Sequence, residues 1–463
     1  MNEPQPPAGN EPEFAAFVAL DWADREHAWS LEAPGVKRER GKLQQTPQAI
    51  AAWAAGLAAR FGSRPIAVAL EQSRGALVCA LSQFAHLVLY PIHPATASSY
   101  RAALFPSGSK DDPRDADLLL DLLLQQRARL RPLRPDTEAT RKLQGLVEKR
   151  RQLVDERTAY TNRITDLLKV YFPQALDWWD NLASPLAQAA LERWPTLAQL
   201  QAEDPEELRR FLRGQGCRRA RIEQRLEEIP QARSAVEDPA VVEPMEFMVR
   251  TLLAVVAVLR QGIAQLERKI AEAFAAHPDA SLFHSLPGAG PVMAPRLLAA
   301  FGSRRDRFAA AGEVESYSGI APVIVRSGRT QYWVHFRWAC PKFLRQTFHE
   351  FAECSLPHCD WAREFYHAQR DNQKGHNAAV RALAFKWIRI LFRCWQNRQP
   401  YQEEVYLAAR RRRAGRPQGG GPVAAPAVVP AAVAPAASSA CGKTADFGLK
   451  HVAEVLKILM ARA

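Results

Sequence analysis

Two short apolar runs each end in a carboxylate: Phe14-Ala-Ala-Phe-Val-Ala-Leu-Asp21 and Pro65-Ile-Ala-Val-Ala-Leu-Glu71. Runs this short and this continuously apolar predict buried strands. A third acidic feature follows in Asp112-Pro-Arg-Asp115-Ala-Asp-Leu-Leu-Leu-Asp-Leu-Leu, a helical stretch. Helix residues three apart share a face, so Asp112 and Asp115 can point the same way. Asp24, Asp111 and Asp117 lie close by as competing carboxylates. Oxygen ligands at two strand ends and on one helix face suit a hard divalent cation such as Mg²⁺. Paired ions held that way serve phosphodiester chemistry on nucleic acids.

The spacing of signals around these residues predicts an ordered α/β unit. After the first strand, Ala28–Glu32 and Val36–Leu43 are its hairpin neighbours. Thr46 is the N-cap of a helix running to about Arg60. A strand at Pro65–Glu71, a helix at Gly75–Phe84, a strand at His86–Pro91 and a helix at Thr96–Leu104 come next, and a last helix spans Asp112 to Gln126. Three strands, then helix, strand, helix, strand, helix is the order of an RNase H-like fold.

Beyond residue 126 the pattern turns helical and basic. Leu146, Leu153, Tyr160 and Leu167 repeat every seven residues, and Leu252, Leu259 and Leu266 do so again. Both are coiled-coil or helix-pair seams that can pair within one chain or between chains. Arginines and lysines cluster from Arg127 to Arg151, at Arg218, Arg219 and Arg221, and at Arg410–Arg413. Leu286-Pro-Gly-Ala-Gly290 leads into an apolar helix and resembles a helix-hairpin-helix clamp for a nucleic-acid backbone, although any tight turn uses glycine. The expected layout is a disordered 1–13, an RNase H-like nuclease domain over 14–126 and a helical, coiled-coil region over 127–280. A mostly helical C-terminal domain over 281–413, a Pro/Ala/Gly linker over 414–440 and a short helix over 441–463 complete it.

With 463 residues the chain exceeds one ordinary core, and its net charge of +13 favours a polyanionic partner. Seven scattered cysteines suggest a reducing compartment rather than a disulfide scaffold. Cys340, Cys354, His358 and Cys359 could be read as zinc ligands, but no C-x-x-C pair anchors them. No signal peptide or membrane span is expected. Trp178, Trp179, Tyr332, Trp333 and Trp338 are candidates for base stacking or for core packing.

The acidic segments Ala19-Leu-Asp21, Glu71-Gln-Ser-Arg-Gly75 and Ser109-Lys-Asp-Asp112-Pro-Arg-Asp115-Ala resemble motifs of the DEDD-type insertion-sequence transposases. This is the insertion sequence one-hundred-and-ten family, which also includes the pilin-gene invertase. Leu286-Pro-Gly-Ala-Gly, Tyr317-Ser-Gly-Ile-Ala-Pro322 and Arg326-Ser-Gly328 resemble its C-terminal domain in the same order, so the likeness spans about residues 14–410. It implies a RuvC-like domain binding Mg²⁺ through Asp21, Glu71, Asp112 and Asp115, and a nucleophilic serine that maps to Ser327. It also implies oligomers, a dimer or a tetramer, working with a structured non-coding bridge RNA that pairs with donor and target DNA. The expected setting is the nucleoid of a prokaryotic cytoplasm. Lys110, Arg114, Arg326, Arg329 and Arg337 are the candidate phosphate contacts. The chain departs from the family pattern at Trp22-Ala-Asp24, at Gln72-Ser-Arg-Gly75 and at Arg337-Trp-Ala-Cys-Pro-Lys342. Two other readings stay open: a junction nuclease that cuts with a metal-activated water, and a non-catalytic nucleic-acid-binding protein.

Overall fold

A computed structural model describes residues 13–104, 112–327 and 331–414; for Asp112, Arg326 and Ser327 it describes the backbone alone. The expected phosphate contacts Lys110 and Arg329, the Pro/Ala/Gly linker and the last helix lie outside the described residues. The chain divides into two compact units. One comprises Met1–Ala321 with Ala339–Tyr401, the other Pro322–Trp338 with Gln402–Ala463.

The first unit begins with strands β1 (Ala16–Asp21), β2 (Glu26–Ala33) and β3 (Val36–Gln44) and helix α1 (Pro47–Phe61). Strand β4 (Ile66–Leu70), helix α2 (Ala76–Leu81), strand β5 (Leu87–Pro91) and helices α3 (Pro94–Leu104) and α4 (Asp112–Gln126) follow. The sheet order is β3-β2-β1-β4-β5. β1, β2 and β3 form an antiparallel meander, whereas β4 joins β1, and β5 joins β4, in parallel. Thr46 caps α1 as expected, accepting a 3.2 Å hydrogen bond from the Ala49 amide.

Strand alternation sorts the two faces. Val18 and Leu20 of β1 and Ile66, Val68 and Leu70 of β4 pack with α1 and α2. Ala19, Ala67 and Ala69 turn the other way, toward Leu118, Leu119, Leu122 and Leu123 of α4. Alanines there let α4 settle closely on the sheet. Each of those leucines contributes about 1.5–3 kcal/mol of burial.

The helical part rests on two long helices, α5 (Glu138–Tyr171) and, after an excursion, α11 (Pro239–Ala275). The heptad seams therefore pair within the chain. The pairing is antiparallel: Thr140 Oγ1 lies 2.9 Å from His277 Nε2, and Arg150 Nη2 lies 2.6 Å from Glu267 Oε1. Midway, a Cβ on Gly262 would stand 3.1 Å from Leu153 Cδ1, so glycine permits the close approach. The excursion holds α6 (Gln174–Trp178), α7 (Pro185–Arg193), α8 (Leu197–Gln201), α9 (Pro205–Gly214) and α10 (Arg219–Glu228). They pack on the far end of the pair around buried Tyr171, Phe172, Trp178, Trp179 and Trp194. Trp178 and Trp179 are thus core residues and cannot stack on bases.

Beyond the pair come α12 (Ala280–His284), α13 (Gly290–Phe301) and α14 (Ala311–Tyr317). After the segment of the second unit follow α15 (Lys342–Cys354), α16 (Asp360–Asp371) and α17 (His376–Asn397). α13 is buried from Met293 to Phe301 and forms the hub. The tryptophans around it keep their indole N–H groups satisfied: Trp361 on Tyr401, Trp387 on Ser355 and Trp395 on the Gly302 carbonyl, at 2.7–2.9 Å. Buried Arg296 pairs with Glu350, which Arg151 of α5 also reaches at 3.3 Å, so α5, α13 and α15 share one ionic knot.

In the second unit, β6 (Val323–Ser327) and β7 (Gln331–His335) form an antiparallel hairpin, and α18 (Glu403–Ala414) follows.

The Leu286–Gly290 turn faces the protein's own backbone. Gly288 has φ +74°, and a Cβ there would lie 2.3 Å from the Cys354 carbonyl oxygen. Gly290, at φ +50°, has open space in that direction. Gly288→Ala is therefore predicted to destabilise by more than about 3 kcal/mol, and Gly290→Ala by about 1 kcal/mol. Thermal unfolding of the two variants checks this; equal melting temperatures would contradict it.

Candidate active site

The parallel pairing of β1 and β4 places Leu20 beside Leu70. Asp21 and Glu71 stand one residue further on, at the ends of strands about 4.8 Å apart. Alternation carries Asp21, two residues past Ala19, onto the α4 face of the sheet; continued one step beyond β4, it carries Glu71 there too. Both are half-buried.

α4 crosses that face over β1 and β2. Near its start Asp115 is 3% exposed. Its Oδ1 accepts a 2.8 Å hydrogen bond from Arg101 Nε at the end of α3. Its Oδ2 is buried and has no hydrogen-bond partner among the described residues. A buried carboxylate oxygen left unpaired costs on the order of 1–3 kcal/mol, so such groups call for an explanation. Asp112 occupies the first position of α4, one turn before Asp115, and Arg114 between them is exposed.

The neighbouring acids do something different. Asp117 Oδ1 accepts 2.6 Å from Ser30 Oγ, and Arg40 Nε reaches both its oxygens at 3.0–3.1 Å. Asp121 accepts 2.6 Å from Arg38, which also holds Glu32. These contacts lock α4 in register with β2 and β3. Burial pushes the Asp117 carboxyl up, but the hydrogen bonds from Arg40 and Ser30 outweigh it and hold the group below the usual carboxylate range.

Three of the four expected carboxylates, Asp21, Glu71 and Asp115, are thus brought to one face and one end of the sheet. They do not close into a ready cage: among the described residues no three His, Cys, Asp or Glu side chains form a metal-holding group. The donor set still fits a hard cation, being all carboxylate oxygen with one buried oxygen of Asp115 unclaimed. Arg101 escaped sequence reasoning because nothing in Ser98-Ser-Tyr-Arg101 marks a partner for an acid fourteen residues on.

Ser327 ends β6, its backbone in register with Gln331; Arg326 opposes Tyr332. Arg337 is half-buried, and Trp338 beside it is 80% exposed. All belong to the second unit. Ser318, the other serine of that region, is buried with its hydroxyl on the Glu315 carbonyl, a structural position. The basic run after residue 126 is largely committed. Arg131 binds Glu313, Arg134 binds Asp306, Arg150 binds Glu267, and Arg127 lies over the rings of Phe14 and Phe17 at 5.4 Å.

Two family models match the chain, and both describe transposases. A DEDD-type transposase model covers residues 18–173, and the transposase IS116/IS110/IS902 family model covers residues 280–367. The chain is similar to the Streptomyces coelicolor IS117 mini-circle protein, named as a transposase, with 30% identity over 86% of this chain and 98% of that protein. It is similar also to the 43.6 kDa protein of insertion element IS110 from the same species, with 27% identity over 82% and 94%. The 44.8 kDa protein of IS116 from Streptomyces clavuligerus shares 26% over 65% and 74%. Mobile-element DNA transposition is the class these findings define. Within it, the chain belongs to the IS110 family.

The Asp117 contacts give a pH-dependent prediction. A depressed carboxyl contributes stability above its unfolded pKa and loses it as pH falls through the folded value. Asp117→Asn is expected to cost about 1 kcal/mol near neutrality, and the deficit against wild type to shrink below about pH 4. Denaturant unfolding at several pH values checks it; a deficit independent of pH would refute the role.

Proposed function

We propose that the first unit carries an RNase H-like nuclease centre and that the protein is a Mg²⁺-dependent, RNA-guided DNA recombinase acting through a phosphoserine intermediate. The observation that carries the nuclease reading is the convergence of Asp21 and Glu71, at adjacent parallel strand ends, on the face where Asp115 keeps a buried oxygen unclaimed. Asp21, Glu71, Asp112 and Asp115 would hold the cation. When bound, Mg²⁺ would polarise the scissile phosphate and neutralise its developing charge. Arg101 occupies one oxygen of Asp115 and would leave the other to the cation.

Ser327 would act as nucleophile in the serine-containing C-terminal segment, a role implied by family resemblance. Its Oγ attacks the phosphorus, the bond to one deoxyribose oxygen breaks, and that hydroxyl leaves with the serine proton. A hydroxyl from the exchange partner then attacks the phosphoserine, and Ser327 regains its proton. Bond number is conserved, so no ATP is needed. Arg326, Arg329 and Arg337 would stabilise phosphate charge in the transition state, and Lys110 and Arg114 would contact phosphates beside the carboxylates. Sequence choice would rest with a structured non-coding RNA pairing to donor and target DNA. That division of labour suits a protein of net charge +13, whose affinity comes from the backbone. Oligomerisation, as a dimer or tetramer, would bring two exchange partners together. No helix among the described residues is long and apolar enough to cross a membrane, and action on the nucleoid is consistent with that.

The test is a search for a covalent adduct. The protein is co-expressed with its native flanking DNA, trapped by denaturation in Mg²⁺, and the modified peptide is mapped by mass spectrometry. A nucleotide on Ser327, lost in Ser327→Ala and in Asp21→Ala, is the expected result. Free nicked ends without an adduct would replace the serine step with attack by water. Intact DNA bound equally by wild type and Asp21→Ala would leave only a binding protein.

A further inference from the structure

Neither family model covers residues 174–279, yet one hairpin of that stretch gathers arginines with no role in the carboxylate site. α9 and α10 form a tight helical hairpin through Gly214-Gln-Gly216-Cys217, with Gly216 at φ +76°. Arg209, Arg213, Cys217, Arg219, Ile222 and Glu223 line a cavity of about 560 Å³ between the two helices. Arg209 is spoken for by Glu206 and Glu223. Arg213, Arg218 and Arg219 are exposed, and their side chains make no ion pair or hydrogen bond among the described residues. The Glu223 carboxyl is held below its usual range, first by the Arg209 hydrogen bond, with the charges of Arg219 and Arg213 adding to it. The cavity therefore keeps a surplus of positive charge.

We propose that the α9–α10 hairpin is a second nucleic-acid contact, a clamp for the phosphodiester backbone of duplex DNA. Arg209, Arg213 and Arg219 share the one carboxylate of Glu223 in the cavity, and a polyanion relieves the repulsion that remains between them. The support beneath them is rigid. Leu208, Leu212, Ile222 and Ile229 are buried, and Arg225 lies over the Trp179 ring at 4.7 Å with a hydrogen bond to the Trp178 carbonyl. The turn also has room for a backbone: a Cβ on Gly214 or Gly216 would meet nothing within 4 Å, in contrast to Gly288. Phosphate docking at a glycine hairpin thus fits residues 213–219 better than the Leu286–Gly290 turn where the sequence suggested it.

Recognition of a single strand relies on exposed aromatic rings. Here Trp178, Trp179 and Trp194 are buried, and Phe211 packs edge-on against Trp194 at 4.8 Å. With no ring to receive unstacked bases, contact through the phosphates of a duplex remains, and DNA is what a transposase handles. The surface stands independently of the serine and metal chemistry, because its test reads binding rather than cleavage.

The experiment uses the full chain in Mg²⁺-free buffer with a short mixed-sequence DNA duplex, followed by fluorescence anisotropy across a salt series. The combined variant Arg213→Ala, Arg218→Ala, Arg219→Ala is expected to bind about tenfold more weakly at moderate salt. Its plot of log affinity against log salt should be shallower by about 2–3. The corresponding Arg→Lys variant should keep the wild-type slope, and all three proteins should melt alike, since the replaced side chains are exposed. The buffer holds no Mg²⁺ and the readout is binding, so the carboxylate site and Ser327 need not act, which separates failure here from failure of the nuclease reading. Unchanged affinity and slope would overturn the proposal. So would a loss confined to an RNA duplex of the same sequence.

Discussion

The parallel pairing of β1 with β4 is the constraint on which the rest depends. It is the one junction in the sheet where two chain segments separated by a hairpin and a helix end side by side, each in an acid. Had β4 joined the antiparallel edge, Asp21 and Glu71 would stand apart. α4 then decides what the pair can do, because its placement sets where Asp115 and Asp112 fall. That placement is over-determined. Leucines fill the surface above Ala19, Ala67 and Ala69, while Arg38, Arg40 and Ser30 grip Asp121 and Asp117. Two acids of the helix, Asp117 and Asp121, are spent on register.

The helical body serves position more than chemistry. The antiparallel α5–α11 pair is a stiff strut whose near end is tied to the hub helix α13. Asp136 receives the Ser303 amide at 3.0 Å, and Thr140 bridges to His277 and Ser303. Its far end carries an aromatic core that presents the α9–α10 arginines. Several basic residues near the strut, Arg131, Arg134, Arg150 and Arg151 among them, are held in intramolecular ion pairs. High net charge alone therefore overstates how much surface is available to a nucleic acid.

Much of the first sheet was legible because each signal was local. The apolar runs marked β1 and β4, Thr46 marked the start of α1, and Asp112 opened α4 where the helical pattern began. The heptads at Leu146–Leu167 and Leu252–Leu266 announced long helices but not their pairing, since a seam does not state its partner. What stayed hidden was long-range. Arg101 on Asp115, Arg40 on Asp117 and Gly288 against the Cys354 carbonyl depend on side chains meeting across the fold. The same limit made Trp178 and Trp179 ambiguous, because a tryptophan in a core and one on a binding surface share one letter. Asp117 and Asp115, two residues apart, looked interchangeable until the contacts of each were known.

The central claim, that Asp21, Glu71 and Asp115 form one cation-binding centre, is met most directly by anomalous diffraction from crystals of the protein with DNA and Mn²⁺. The account predicts a peak about 2.0–2.2 Å from carboxylate oxygens of Asp21, Glu71 and Asp115. A strong peak elsewhere, with these three carboxylates bare at saturating Mn²⁺, would contradict it.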